Sequence, residues 1–347
     1  MKRRDFIAFL CAVPAFAGQK SSINVPVAEP FLMTVKGKIH ASELGHSLPH
    51  EHFITDFAGA KSTDHAEYTD ERALAVLLPH LETIKKVGIK SLFECSPSYI
   101  GKNVKLLKQL SSLSGLNIIT NTGYYAAVGQ KYLPDHAYTE SDRQLSERWI
   151  TEYTHGIDGT EIKPGFIKLG TDNGPLKEIE IKLIKSAAIT HLKTGLKIAI
   201  HTGNAEAAIQ QLDILKTMGV KPSAFIWVHA QNDEKGDTQI RLAKSGCWIS
   251  LDGLNSTETS LSKYESDIMR FKSAGLLSRL LVSQDDGFAV VRKDSETNFQ
   301  PYQNGNTVPY VTLFTKLKPR LLQNGLTLKE FDQITVTNPS SAFQLNR

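Results

Sequence analysis

Cysteine and an excess of either charge are scarce in this sequence. Three cysteines among 347 residues are too few for a disulfide framework, and Cys95 and Cys247 each lie in an apolar, strand-like run that is typical of a buried free thiol. The formal net charge is only +4 at pH 7, and no basic run is interleaved with aromatic residues. This composition argues against nucleic acid as a partner.

Long hydrophobic runs are also missing. The apolar stretch at residues 6–16 is shorter than the roughly 20 residues that a membrane-spanning helix needs. It follows a basic start and ends in small residues at A-x-A spacing, which predicts a secretory signal peptide over residues 1–17 with cleavage after Ala17. Arg3 and Arg4 favour the twin-arginine type of signal, and an ordinary secretory signal is the alternative.

This N-terminal region predicts an exported bacterial protein that is periplasmic or secreted. Residues 18–30 are polar and contain proline, so we expect them to form a flexible leader. No transmembrane candidate follows Gly18, and we therefore expect no membrane partner once the signal is removed.

From residue 31 onwards, apolar segments of strand length alternate with amphipathic segments of helix length. Residues 31–39 predict a short strand pair that turns at Gly37, and about eight strand–helix units follow without a linker. Nearly continuous apolar strands are typical of a parallel sheet that is covered on both faces. We therefore expect residues 31–347 to form a single α/β domain, a (β/α)8 TIM barrel with the strand pair ahead of it.

A doubly wound open sheet is the alternative fold. The sequence lacks a G-x-G-x-x-G motif after the first strand and lacks a phosphate-binding loop, so it gives no sign of a nucleotide site. It also lacks the G-x-S-x-G elbow of serine hydrolases and the H-x-H-x-D-H motif of metallo-β-lactamases. The chemistry must come from other residues.

The carboxyl ends of the predicted strands carry metal-binding residue types. In SLPHEHF, residues 47–53, strand alternation directs His50 and His52 to the same face. Four later strand segments each contribute ionisable residues: Lys168 in the fourth, His201 in the fifth, His229 in the sixth, and Asp285 with Asp286 in the eighth. A barrel places its active site at this end, and imidazole and carboxylate suit zinc and its first-row neighbours. The set predicts a metal centre.

From GHSLPHEH to VTNPSSAF, the sequence resembles the phosphotriesterase family of the amidohydrolase superfamily. The order H-x-H, Lys, His, His, Asp on strands one, four, five, six and eight carries this resemblance. It implies a binuclear centre with zinc, or alternatively manganese, cobalt or iron. One ion would bind His50, His52 and Asp285, and the other would bind His201 and His229. Family members are often dimers, so a homodimer is expected.

The resemblance also implies that Lys168 is carboxylated on its amine and bridges the two ions together with a hydroxide. An ammonium group, with a pKa near 10.4 in water, has the wrong charge for a position between two cations. Burial and neighbouring cations lower such a pKa, and the free amine can then react with carbon dioxide to form an anion. An ion-paired or snorkelling lysine is the alternative.

The two acids of the eighth strand differ in their match to the family. VSQD matches the family's strand ending, so Asp285 is the expected ligand and general base, with Asp286 as the alternative. Glu51 lies between the two histidines and points to the opposite side of the strand, where it would support the ligands or the fold.

The expected substrate is a small-molecule ester. NTGYY resembles the lactonase branch of the family, which places Tyr125, or alternatively Tyr124, over the metals. Gly253 stands where relatives with lactonase or triesterase activity usually carry Arg or His, which predicts a roomier, less polar pocket. The long polar loop at residues 287–310 is expected to shape specificity.

Three functional hypotheses remain open. The first is hydrolysis of a lactone or a carboxylic ester, and the second is phosphotriester hydrolysis with the same nucleophile. The third belongs to another class: an exported barrel that binds a metal or a ligand without catalysis. Turnover by a metal-loaded preparation discriminates the third hypothesis from the other two.

Overall fold

The computed structural model of the chain describes residues 29–62, 68–293 and 296–346. The predicted signal peptide and most of the predicted leader lie outside the described residues. Within these ranges, no helix is both long enough and apolar enough to cross a membrane. Cys95 and Cys247 are buried and free, as the sequence predicts.

Parallel strands and helices alternate along the chain. The strands are β1 (Phe31–Thr34), β2 (Gly37–His40), β3 (Ser47–Glu51), β4 (Ile54–Thr55), β5 (Ser91–Glu94), β6 (Asn117–Ile119), β7 (Asn121–Thr122), β8 (Phe166–Thr171), β9 (Lys197–Thr202), β10 (Phe225–Val228), β11 (Trp248–Leu251), β12 (Leu280–Val282), β13 (Phe288–Lys293) and β14 (Glu296–Pro301). The α-helices are α1 (Asp70–Lys86), α2 (Val104–Ser114), α3 (Asp135–Thr139), α4 (Asp142–His155), α5 (Glu178–Thr194), α6 (Ala205–Thr217), α7 (Asp237–Lys244), α8 (Glu258–Ser273), α9 (Lys318–Gln323), α10 (Leu328–Asp332) and α11 (Asn338–Phe343). Two π-helical segments, Leu313–Leu317 and Gln333–Thr337, precede α9 and α11.

The parallel strands form the expected barrel. Their order is β3-β5-β6 in one segment and β7-β8-β9-β10-β11-β12 in the other, and only Thr120 separates β6 from β7. Counted around the barrel, β3 is strand one, β5 is strand two, β6 with β7 is strand three, and β8 to β12 are strands four to eight. Beyond the end of β12, the Asp285 N–H donates to the His50 carbonyl at 3.3 Å, and the His52 N–H donates to the Asp286 carbonyl at 2.7 Å. These bonds join strand eight to strand one and close the sheet.

Apolar side chains fill the lumen beneath the rim. One buried cluster contains inward-facing residues of several strands together with the C-terminal Phe343, whose ring lies 4.2 Å from that of Phe93 and 5.2 Å from that of Phe166. The predicted strand pair, β1 with β2, contacts the same end of the chain, because Phe31 and Leu345 exchange backbone hydrogen bonds. The lumen is a packed core, which leaves the carboxyl rim for chemistry.

The segment at residues 287–310 is more regular than the sequence analysis expected. It contains the antiparallel pair β13 and β14, and β13 also pairs in parallel with β4. Period-two alternation in FAVVRK, in which Phe288 and Val290 are buried, explains the strand. The loop after strand eight is therefore a hairpin that is anchored beside the rim.

Candidate metal centre

Four histidine rings meet at the carboxyl rim of the barrel. The ring centroid of His50 lies 5.4 Å from that of His52 and 5.1 Å from that of His229, and the rings of His201 and His229 lie 4.4 Å apart. Ligand atoms of His50, His229 and Asp285 all lie within 4.8 Å of one another. Because donors at this spacing can share one cation, the cluster is a candidate metal site.

Asp285 joins the two histidines of strand one. Its Oδ1 lies 2.9 Å from Nε2 of His52 and 3.3 Å from Nε2 of His50. Asp285 and His229 both follow a strand in the left-handed backbone region, with φ of 55° and 59°. This conformation is uncommon outside glycine and often marks functional positions, where surrounding contacts hold it in place.

Lys168 lies on β8 at the same rim and is only 2% exposed. Its Nζ is 5.7 Å from the ring centre of Tyr125. Burial lowers the pKa of the Lys168 ammonium, and burial together with His229 and Lys168 lowers the pKa of His201. A buried amine with a lowered pKa is the species that can react with carbon dioxide, so the donor set fits a cation site that contains a carboxylated lysine.

Asp252 is a site residue that the sequence analysis missed. It is fully buried at the end of strand seven, where its carboxylate lies 2.6 Å from Nδ1 of His229 and 3.4 Å from Nδ1 of His50. Burial alone would raise the pKa of Asp252, but these imidazoles hold it well below its ordinary value. A carboxylate at Nδ1 leaves Nε2 free for a metal. The signal was an acid directly after a buried apolar strand.

Glu51 and Asp286 have structural surroundings. Glu51 is fully buried and accepts hydrogen bonds from the Ser283 hydroxyl at 2.7 Å and from the Gln284 and Asp286 N–H groups at 3.0 and 2.7 Å. The carboxylate of Asp286 accepts from the Tyr310 N–H at 2.6 Å and from two asparagine side chains of the following loop. The geometry therefore favours Asp285 over Asp286 as the metal-facing acid.

Sequence comparison places the chain among known proteins. Residues 30–343 match the profile of the phosphotriesterase family. The chain belongs to the phosphotriesterase family. It is 28% identical over 303 residues to the phosphotriesterase homology protein of Escherichia coli K12, and the match covers 86% of this chain and 98% of that protein. It is 25% identical over 348 residues to the N-acetyltaurine hydrolase of Xenopus tropicalis, covering 89% of this chain and 96% of that protein.

Solved structures share the fold. A mutant phosphotriesterase-like lactonase from Deinococcus radiodurans matches with a TM-score of 0.80 and 24% identity, covering 90% of this chain and 99% of that chain. The resemblance drawn from the strand-end motif is thus confirmed at the level of family and fold. The protein is a phosphotriesterase-family hydrolase with a candidate His/Asp metal site.

The two tyrosines of NTGYY lie on different sides of the barrel wall in this family member. The Tyr125 ring lies 5.0 Å from His201, within the cluster. The Tyr124 ring packs against Trp149 at 5.4 Å, and its hydroxyl lies 2.9 Å from Nε2 of His136. The structure therefore brings Tyr125 to the candidate site and places Tyr124 outside it.

The sequence predicts a roomier, less polar pocket at Gly253, and the structure shows two polar side chains beside this position. A β-carbon on Gly253 would lie 2.8 Å from Nε2 of Gln231 and 3.4 Å from the Tyr264 hydroxyl. The space that a side chain would enter is therefore already occupied by an amide and bordered by a phenol.

Proposed function

We propose that this hydrolase cleaves a lactone or a carboxylic ester with the help of two divalent metal ions. The observation that carries the proposal is the convergence of four imidazoles, one carboxylate and one buried lysine at a single barrel rim. His50, His52 and Asp285 would hold one ion, and His201 and His229 would hold the other.

The donor set suits zinc, and manganese, cobalt and iron are alternatives, because imidazole and carboxylate bind all four. Two divalent cations held in one site repel each other, so such a site needs negatively charged ligands. Lys168 would supply this negative charge if its free amine added to carbon dioxide, which forms a C–N bond and releases one proton. The lowered pKa of Lys168 supports this step, since only the free amine reacts.

Two bound ions would supply an activated water near neutral pH and polarise the substrate carbonyl. Asp285 would accept the proton that this reaction releases, because its carboxylate faces both histidines of strand one. Burial alone would raise the pKa of Asp285, but His50 and His52 hold it well below its ordinary value, so the base is ionised.

Aromatic side chains border the same rim and favour an ester with an apolar group. Tyr302 lies 5.9 Å from His52 and 6.0 Å from Phe57, and Tyr132 lies 5.9 Å from Tyr125, as measured between ring centroids. The structural neighbour named as a lactonase supports a lactone. Phosphotriester hydrolysis is the alternative, because the same nucleophile can attack phosphorus.

The setting of the enzyme is also part of the proposal. The N-terminal signal pattern supports export to the periplasm or beyond, with no membrane or nucleic-acid partner. We expect a homodimer by resemblance to the family. Cell fractionation and size-exclusion chromatography with light scattering check these two points.

The decisive experiment combines metal analysis with a substrate panel. Purified mature protein should contain about two divalent ions per chain. The panel contains lactones, aryl esters, an N-acyl taurine and an aryl phosphotriester, with chelator-treated protein as the control. Ester or lactone turnover that the chelator abolishes supports the proposal. A preference for the phosphotriester or the amide would replace the substrate class, and a metal-loaded protein without any turnover would favour the non-catalytic binding barrel.

A further inference from the structure

We propose that Gln231 is a positioning residue that fixes Asp252 between the imidazoles of His50 and His229, and that glycine at 253 makes room for it. This inference rests on the proposed metal function, because its consequence is tighter metal binding. Gln231 does not touch the metal-facing nitrogen atoms and acts through Asp252.

Asp252 connects two strands of the barrel through one buried carboxylate. Oδ1 lies 2.6 Å from Nδ1 of His229, and Oδ2 lies 3.4 Å from Nδ1 of His50. The Ser250 hydroxyl also donates to Oδ2 at 2.7 Å. The two imidazoles belong to strands one and six and would hold different ions. The placement of this carboxylate therefore acts first on the His229 ring, to which it is hydrogen-bonded, and more weakly on the His50 ring at 3.4 Å.

Gln231 holds Asp252 with both ends of its amide. Its Nε2 donates to Oδ1 of Asp252 at 3.2 Å, and its Oε1 accepts from the Asp252 backbone N–H at 3.1 Å. Gln231 lies two residues after His229, in the short 3-10 turn Ala230–Asn232. These two hydrogen bonds tie the turn after strand six to the end of strand seven. They therefore reinforce the contact between the Asp252 carboxylate and the His229 ring, which joins the same two strands.

Gly253 is the residue that permits this arrangement. A β-carbon there would lie 2.8 Å from Nε2 of Gln231, which is closer than unstrained carbon–nitrogen contact allows. The buried hydroxyl of Tyr264 lies 3.4 Å from the same point and limits where the amide could move. A larger residue at 253 would therefore shift the amide of Gln231 relative to Asp252.

Removing a hydrogen-bond partner of a metal ligand typically weakens metal affinity by 10–100-fold. Because Gln231 acts one contact further out, we expect Gln231→Ala to weaken affinity by about tenfold, at the lower end of that range. Gln231→Glu should weaken it at least as much, since a carboxylate would replace the amide N–H beside Asp252. Gly253→Ala should weaken it as well, although it removes no polar group.

The test measures the zinc dissociation constant of the full mature protein by competition with a chromogenic chelator. Asn232→Ala is the matched control, because Asn232 lies in the same turn, is exposed and donates to the Gly203 carbonyl at 3.4 Å rather than to Asp252. The thermal midpoint of each metal-free variant shows whether it is folded. The visible spectrum of the cobalt-loaded protein reports the ligand geometry independently of turnover.

The double variant Gln231→Ala with Gly253→Ala distinguishes the mechanism. If residue 253 acts through the amide, the double variant should bind zinc no more weakly than Gln231→Ala alone. Additive losses, or an unchanged dissociation constant in folded Gln231→Ala, would overturn the inference. If the unsubstituted protein binds no zinc, cobalt or manganese, the proposed function itself is refuted. If it binds zinc and the variants bind zinc with the same dissociation constant, only the role of Gln231 is refuted.

Discussion

The two sides of the candidate centre differ in how their charge is balanced. On the side of strands one and eight, His50 and His52 both lie within 3.3 Å of Asp285. On the side of strands four and five, Lys168 and His201 are two bases with lowered pKa values, and in the described part of the chain no carboxylate forms an ion pair with Lys168. The first side carries a carboxylate in direct contact with its histidines, and under the proposed function the second side would gain its negative charge from carboxylation of Lys168.

Replacing Lys168 tests the difference between the two sides, and it should have the largest effect on metal content and turnover. Lys168→Ala should lose both ions and reduce turnover by more than about a thousandfold, since the pKa of the attacking water would return from about 7 toward that of free water. Metal analysis and kinetics measure the two losses. A small carboxylic acid should restore part of both, because it can enter the space left by the bridge.

Lys197→Ala is the matched control for that experiment. Lys197 also lies in a strand and its pKa is also lowered by burial, but it begins β9, far along the strand from His201, near the opposite end. This variant should keep its metal. Full activity in Lys168→Ala would mean that the charge on this side is balanced in another way.

The adjacent acids of strand eight probe the other side of the centre. Asp285→Asn should lower turnover by about a hundredfold, because the proton acceptor is lost next to both histidines. Asp286→Asn should mainly destabilise the fold, because its carboxylate accepts from the Tyr310 N–H and from Asn304 and Asn306. Steady-state kinetics and thermal unfolding separate the two effects; the opposite pattern would exchange the roles of the two acids.

Glu51 lies behind the histidines of strand one and joins this strand to strand eight through hydrogen bonds. Glu51→Gln should reduce the free energy of unfolding by about 1–3 kcal/mol, because an amide group would replace an oxygen that accepts from the Ser283 hydroxyl or from backbone N–H groups of strand eight. Urea unfolding of the metal-free protein measures the change. An unchanged unfolding midpoint would show that strands one and eight are held together without this side chain.

Tyr125 lies beside Lys168 and His201, on the side of strands four and five. Its replacement should have the smallest effect on activity. Burial raises the pKa of Tyr125 well above its ordinary value, so the hydroxyl remains a neutral donor. Tyr125→Phe should lower kcat/KM for a lactone by about tenfold through loss of one hydrogen bond, with metal content unchanged. Tyr124→Phe serves as the control, since its hydroxyl contacts His136 outside the centre. Equal effects of the two variants would remove Tyr125 from substrate binding.

Much of this site could be predicted from the sequence. His50 and His52 share a face through strand alternation, and barrel topology assigns Lys168, His201 and His229 to one rim. The match of VSQD to the family favours Asp285 over Asp286. The fold supplies the physical reason, because φ at Asp285 is 55° and the neighbouring Asp286 is bonded to Tyr310 and two asparagines instead.

Asp252 directly follows a buried apolar strand and could have been found in the same way, but its contact with Gln231 could not. Their contact joins residues 21 positions apart in two different strand ends, and it depends on the register between those strands. Gly253 shows the same limit, since an absent side chain says nothing about which neighbour lies beside it.

The sequence by itself determined the alternation of strands and helices and the residue types at the strand ends, because these are local periodicities along the chain. Only the tertiary structure decided which donors meet. Closure of the barrel brings the His50 N–H within 3.1 Å of the Ser283 hydroxyl, across 233 positions. Contacts of that kind, and the filling of the space beside Gly253, depend on packing between strands rather than on any pattern within one.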